Sequence, residues 1–146
     1  MGKFKFKYKS IENLKRILEK QVQKELAEID LEIEKVMDYL SRLKIEKANF
    51  IDKKDEPRRT KIIDVQLNEN YLIQLDLKIE EVEEEIIELS EKRELKLKEL
   101  EEKSKEKKVF EILGEKHLNE FIKEENRLEQ LEIDDIATKR YIRKNS

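Results

Sequence analysis

Apolar residues recur through most of this chain at the spacing of a coiled coil. In a first stripe they lie alternately four and three positions apart, at Val22, Leu26, Ile29, Ile33, Val36, Leu40 and Leu43. A second stripe alternates in the same way, at Leu72, Leu75, Ile79, Val82, Ile86 and Leu89. This alternation places every member on one face of a helix that packs against another helix. The pattern therefore predicts two long helices.

A proline separates the two stripes. Pro57 is the only proline of the chain. Proline disfavours helix for the residue before it and is accommodated in the first turn of a new helix. We therefore predict an all-α fold, an antiparallel two-helix coiled-coil hairpin with unequal arms and a turn near Pro57. Helix 1 covers about residues 10–54, the turn 55–59 and helix 2 about 60–142, within a single elongated domain of residues 1–146.

Folding the chain back at Pro57 brings the two stripes into register. Six apolar pairs align when the position numbers of facing residues sum to 115, from Leu43 with Leu72 to Leu26 with Leu89. Beyond these pairs Leu18 and Leu14 extend the first stripe in steps of four, and we expect both to join the interface. Charged residues and Gly114 predict a bend or fraying within residues 103–115.

The C-terminal part of helix 2 has no partner in this register. From about residue 106 onward it still carries apolar residues at helical spacing, namely Val109, Phe110, Leu113, Leu118, Phe121, Ile122, Leu128, Leu131 and Ile136. An apolar stripe without a partner in its own chain predicts another protein as partner, or self-association through the same stripe.

Composition agrees with long helices rather than a wide core. Of the 146 residues 47% are charged and 37% are hydrophobic, and the net charge of −3 conceals basic ends around a Glu-rich segment at 80–102. The chain has no cysteine and no apolar run long enough to cross a membrane, which excludes disulfides and predicts a cytoplasmic protein without a transmembrane segment.

Candidate chemistry is sparse. The single histidine, His117, has no second histidine or cysteine with which to form a metal site, and Glu83, Glu84 and Glu85 are typical of a solvated helix face. No Gly-rich phosphate loop or nucleophile motif is found. We therefore expect no enzyme activity, no cofactor and no metal. The only continuous basic run, residues 3–9, is too short to predict nucleic-acid binding.

That basic run, KFKFKYK, alternates lysines with Phe4, Phe6 and Tyr8. The alternation is typical of a strand, but no second strand is available for pairing, and an isolated strand is unstable in water. Because Phe4, Tyr8 and Ile11 also fall at helical spacing, we expect them to continue helix 1. In the register above this segment faces residues 106–112, where Val109, Phe110 and Ile112 lack partners.

Both ends of the chain resemble one protein family. The start, FKFKYKSIENLKRILEKQVQKELAE, resembles the N-terminus of the flagellar FliJ family, in which spaced aromatic or apolar residues lead into a leucine-bearing helix. The end, ENRLEQLEIDDIATKRYIRK, resembles the family's more specific signature, whose core here is Ile133-Asp134-Asp135-Ile136-Ala137. The length and the two-helix outline are also similar to the family.

This resemblance implies a function and partners. FliJ-like proteins are non-enzymatic cytoplasmic components of the flagellar type III export apparatus, peripheral to the inner face of the cell membrane at the flagellar base. Their coiled coil is similar to the rotor stalk of rotary ATP synthases. It enters the hexameric export ATPase (FliI-like), promotes its assembly and activity, links it to the export-gate cytoplasmic domain (FlhA-like) and escorts export chaperones.

The resemblance also implies contact residues. Those for the ATPase ring are Phe4, Phe6, Phe121, Leu128, Gln130, Asp134, Asp135 and Ile136. The stretch YLIQLDLKIEE resembles the family's gate-binding segment and places Tyr71, Leu75 and Lys78 at the export gate. Lys78 stands where the family has a small residue, and Leu75 also belongs to the second stripe. Two alternatives stay open: a self-associating scaffold or holdase, and the equivalent stalk protein of a virulence secretion system.

Overall fold

The computed structural model describes residues 2–54 and 62–145. Helix α1 spans Lys9–Lys54 and has 46 residues, and helix α2 spans Ile62–Asn145 and has 84. The fold is an all-α helical hairpin whose two helices pack against each other, as predicted. The predicted turn at residues 55–59, with Pro57, lies outside the described residues. The chain divides into two compact units, which we call unit 1 (Met1–Lys20 and Glu101–Ser146) and unit 2 (Gln21–Leu100).

Unit 2 is held together by the two predicted stripes. Its buried residues in the described range are Val22, Leu43, Leu75, Val82 and Leu89, each at most 7% exposed. All five are stripe members, and the other eight members are half-buried. Leu43, Leu75 and Val82 form one cluster, against which Val36, Leu40, Ile79 and Ile86 pack. The positions predicted to form the interface are confirmed.

The predicted register of these stripes is wrong, because residues of α1 contact residues of α2 that lie further toward its C-terminus than predicted. Tyr39, for which the predicted partner is Asp76, instead lies 5.7 Å from the ammonium of Lys78. Asp76 pairs with Lys47 at 2.5 Å. The described ion pairs and ring contacts between the helices of unit 2 all shift in this direction, toward the C-terminus of α2.

The cause of this error is a degeneracy of the pattern. Because stripe members recur every three or four residues, sliding α2 by three, four or seven residues again places a stripe member opposite each position. Leu75 then joins Leu43 in the core, where the prediction had Leu72. The flanking charges distinguish the alternatives, since the observed register brings Arg93 to Asp30 and Lys96 to Glu25.

In the described part of unit 1 the buried positions are charged. Glu12 and Glu19 are each 7% exposed, and Lys15 between them is half-buried. Residues 12, 15, 19 and 22 of α1 keep the alternation of three and four. The predicted extension of the first stripe by steps of four is therefore wrong at Leu14, which is 52% exposed. The coiled-coil spacing continues toward the N-terminus, but with glutamates at the inward positions.

The N-terminal segment and the middle of α2 also differ from expectation. Residues 2–6 have no regular structure, residues 7–8 form a turn and α1 begins at Lys9, so the predicted helical continuation through Phe4 is wrong. The turn is closed by the Lys9 amide, which donates to the carbonyl of Phe6 at 3.2 Å. In α2 the helix continues without interruption through residues 103–115, where the sequence predicted a bend or fraying.

We predict that Leu75→Ala lowers the free energy of unfolding by about 2–4 kcal/mol, because it removes buried apolar contact and leaves a cavity. Leu77→Ala on the same helix is the matched control: Leu77 is 55% exposed, so its loss is expected to cost below about 0.5 kcal/mol. Urea unfolding followed by circular dichroism measures both. Equal effects of the two substitutions would contradict this interface.

Candidate functional site

An aromatic cluster joins the N-terminal segment to α2 in unit 1. Its members are Phe4, Phe6, Tyr8, Phe110, His117 and Phe121. The ring of Phe4 lies 5.5 Å from that of Phe121, Phe6 lies 5.6 Å from His117, and Tyr8 lies 6.4 Å from Phe110. Such tilted and edge-to-face pairs add about 0.5–1.5 kcal/mol each beyond their buried area. These ring contacts therefore hold the N-terminal segment against α2.

The predicted partners of this segment are confirmed only in part. Phe110 is half-buried in the cluster, but Val109 and Ile112 are 60% and 56% exposed. His117 and Phe121 are the partners that the sequence reasoning missed. The sequence signal for these partners was the alternation of aromatic residues and lysines, which is typical of extended rather than helical backbone. Extended backbone advances about 3.3 Å per residue, whereas a helix advances about 1.5 Å. A helix from Phe4 to Tyr8 would span only about 6 Å, whereas the eleven steps from Phe110 to Phe121 span about 16 Å of α2. The segment reaches both partners because residues 2–6 are not helical.

Gly114 makes room for one of these rings. A Cβ atom at Gly114 would lie 3.3 Å from the Phe6 ring, which is closer than ordinary van der Waals contact. The glycine lies inside α2, where it costs about 1 kcal/mol relative to alanine. Close packing of Phe6, rather than a bend, accounts for a glycine at this position.

Paired charges fill the rest of the unit 1 interface. The ammonium of Lys107 donates to the buried carboxylate of Glu19 at 2.9 Å. This bond, with a second from Ser104, lowers the pKa of Glu19 from its usual 4.5. Glu12 accepts from Arg16 at 3.2 Å, and Lys15 pairs with Glu106 at 3.1 Å. No buried side-chain nitrogen or oxygen among the described residues lacks a hydrogen-bond partner.

Beyond Phe121 the side chains of α2 are almost all exposed. Apolar residues of this C-terminal segment, residues 122–145, are 47–61% exposed at Ile122, Leu128, Leu131, Ile133, Ile136 and Ile142. Its side-chain contacts include local ones: Gln130 donates to Asp134 at 3.1 Å, and Lys139 pairs with Asp135 at 3.2 Å. Of the residues predicted for the ATPase ring, Phe4, Phe6 and Phe121 thus lie in the aromatic cluster. The other five lie on the exposed segment.

The three residues predicted for the export gate lie in unit 2 and differ in exposure. Tyr71 is 38% exposed, packs on Phe50 with ring centroids 4.7 Å apart, and donates to Glu46. That bond to a carboxylate raises the pKa of the Tyr71 hydroxyl. Leu75 is only 6% exposed and belongs to the core. A hydrogen bond with Tyr39 raises the pKa of Lys78.

Residues 2–54 and 62–145 contain no group of three or more potential metal ligands of the types His, Cys, Asp and Glu. Within the same described ranges, neither helix has a segment both long and apolar enough to cross a membrane.

Comparison with known protein families identifies the family to which the chain belongs. The family model described as "Flagellar FliJ protein" matches residues 4–146, nearly the whole chain. The chain belongs to the flagellar FliJ family. The resemblance seen at both ends of the sequence is therefore confirmed. As a FliJ-family member the protein is a component of the flagellar export apparatus, in a family whose role there is not catalytic. No curated protein sequence and no solved structure matches the chain.

We predict that Phe4→Ala combined with Phe6→Ala loosens the contact between the N-terminal segment and α2. Amide exchange should become faster at residues 110–121, because their ring partners are lost. Lys3→Ala with Lys5→Ala is the matched control, since both lysines are exposed in the same segment. Unchanged exchange at residues 110–121 in the aromatic variant would contradict the cluster.

We predict that unit 1 loses stability on acidification through Glu19. Because folding lowers the pKa of Glu19 below 4.5, its contribution is present above that pH and is lost as the pH falls through the folded-state pKa. Amide exchange at residues 12–20, corrected for intrinsic rates, should accelerate over this range. Glu19→Gln should reduce the pH dependence, and Glu28→Gln, at an exposed position, should leave it intact. The same pH dependence in Glu19→Gln would argue against this pair.

Proposed function

We propose that this FliJ-family protein acts as a stalk-like coiled coil that binds the hexameric flagellar export ATPase (FliI-like) through the C-terminal segment of α2. The observation that carries the proposal is the exposure of apolar side chains there, 49% at Leu128, 53% at Leu131 and 47% at Ile136. Apolar residues exposed at this density on one helix are typical of a surface that another protein covers. The segment also contains the sequence that resembles the family signature.

The charges of the segment support binding to a protein. Asp134 and Asp135 are exposed, and the last turn of α2 carries Arg143 and Lys144. The apolar side chains of the segment can be buried against a partner protein, and its acidic and basic side chains can pair with opposite charges on that partner. In this proposal the contact promotes assembly and activity of the ATPase ring.

The aromatic cluster has a supporting role in this proposal. Phe4, Phe6 and Phe121 contact other rings of unit 1, so substituting them changes the unit itself as well as any surface on it. We therefore place the direct contact at Leu128, Gln130, Asp134, Asp135 and Ile136. The three phenylalanines orient the helix that carries these residues.

A second contact, with the export gate (FlhA-like), is proposed for Tyr71. Tyr71 keeps 38% of its surface exposed, whereas Leu75 is buried. Leu75 therefore affects a gate contact only through its packing in the core of unit 2. Such a contact would link ATPase and gate, and would place the protein on the cytoplasmic side of the cell membrane at the flagellar base. Escort of export chaperones belongs to the same proposal.

We predict that the protein raises the turnover of its cognate export ATPase and that deletion of residues 125–146 abolishes the gain. Leu128→Ser with Ile136→Ser should weaken the interaction about tenfold or more, since each loses about 1 kcal/mol of apolar burial. Ile45→Ser with Leu77→Ser, at 57% and 55% exposure in unit 2, is the matched control. If the full-length protein does not raise the turnover of the ATPase, the proposal is wrong.

We predict that Tyr71→Ala weakens binding to the purified cytoplasmic domain of the gate while ATPase stimulation is retained. Ile73→Ala, which removes a 58% exposed side chain two residues away, should have little effect. Titration calorimetry measures both. Undiminished affinity of Tyr71→Ala would remove the gate contact from this position.

A further inference from the structure

A groove lies between α1 and α2 on one face of unit 2. It has a volume of about 520 Å³. Met37, Leu40, Ser41 and Lys44 line it from α1, and Glu83, Ile86 and Ile87 line it from α2. None of these residues belongs to the surfaces proposed above for the ATPase or the gate.

The floor of this groove is apolar and continuous with the core. Leu40 and Ile86 pack against the cluster of Leu43, Leu75 and Val82. Above them Met37 is 52% exposed and Ile87 is 59% exposed. Two large apolar side chains therefore stand in water beside half-buried ones. Methionine, with its flexible thioether, adapts to the shape of an incoming side chain.

Helical spacing places further glutamates beside the exposed apolar residues of the groove, where they form its rim. Glu80, Glu84 and Glu91 stand seven and three residues before Ile87 and four after it, which is the spacing of one helix face. Glu34 stands three residues before Met37 on α1 in the same way. In the described part of the chain these four carboxylates make no ion pair or hydrogen bond, and all are exposed.

Basic residues do not neutralise this rim. Lys44 is paired with Glu83 at 3.6 Å, and Arg93 is paired with Asp30. From residue 80 to residue 91, α2 has seven glutamates and neither lysine nor arginine. An apolar floor between unpaired carboxylates is complementary to an apolar stripe between positive charges.

We propose that this groove binds a basic amphipathic α-helix of a partner protein. The apolar residues of that helix cover Met37 and Ile87, and its lysines or arginines pair with Glu34, Glu80, Glu84 and Glu91. A third helix can lie in the elongated groove between two packed helices. An amphipathic helix fills such a groove with apolar side chains that lie one turn apart. The same groove of a second copy is disfavoured, because two acidic rims would face each other.

A designed peptide tests this proposal on the full-length protein. The probe is a fluorescein-labelled helix of about 18 residues, long enough to be helical when bound, with leucines on one face and lysines elsewhere. A second peptide keeps the leucines and replaces every lysine by glutamate. Fluorescence anisotropy at low and high salt gives the affinity of each. Circular dichroism checks that each protein variant keeps its helix content.

Three protein variants separate the two components of the contact. Ile87→Ser removes an apolar contact, and Glu84→Gln with Glu91→Gln removes two charges. Leu77→Ser is the matched control, since Leu77 has a similar exposure of 55% on the same helix. We expect Ile87→Ser to weaken binding of the basic peptide about fivefold or more. The glutamine variant should weaken it as well and reduce its salt dependence, and Leu77→Ser should bind as the unchanged protein does.

Several results would overturn the proposal. These are absence of binding of the basic peptide, equal binding of the acidic peptide, an Ile87→Ser protein with unchanged affinity, or equal losses in Ile87→Ser and Leu77→Ser. Because the groove shares no residue with the ATPase and gate surfaces, each of these results leaves the proposed function intact. Failure of ATPase stimulation likewise leaves the groove untouched.

Discussion

Unit 2 depends on the packing of its two apolar stripes against each other, with Leu43, Leu75 and Val82 as the buried cluster. Two helices alone form a thin interface, and no described side chain falls below 2% exposure. Each stripe residue therefore contributes a modest share of the free energy of folding, and stability is distributed along the helices. The same thinness leaves many apolar side chains partly in water. In a two-helix protein, the residues that stabilise the fold and the apolar residues that remain exposed therefore lie on adjacent faces of the same helices.

Unit 1 is stabilised by different chemistry. Among the described residues of unit 1 the two buried ones are glutamates, and the aromatic side chains of a non-helical segment supply apolar contact. A buried carboxylate contributes to stability only while its partner is in place, as Lys107 is for Glu19. Such an interface responds to pH and salt more than an apolar one does. The unit that carries the proposed ATPase contact is therefore the one whose packing is most sensitive to its surroundings.

The sequence predicted which residues form the interface of unit 2 but not their register. A stripe that repeats every three or four residues aligns equally well after a shift by any whole step of the repeat. Ion pairs such as Arg93 with Asp30 distinguish the registers, and they lie outside the stripe. In unit 1 the prediction followed leucines to Leu14, whereas the spacing continues through Glu19 and Glu12. The aromatic partners His117 and Phe121 were missed because the N-terminal segment was expected to be helical. The contact residues for the ATPase and the gate came from the family resemblance.

Membership of the flagellar FliJ family and the exposed C-terminal segment together lead to one central claim, that residues 122–145 of α2 are covered by the export ATPase. The most direct measurement is amide exchange of the protein alone and in complex with its cognate ATPase. In the free protein we expect slow exchange at residues 75–89, where the core lies, and faster exchange across 125–142. On binding, residues 125–142 should gain protection. Protection gained elsewhere, with residues 125–142 unchanged, would contradict the claim.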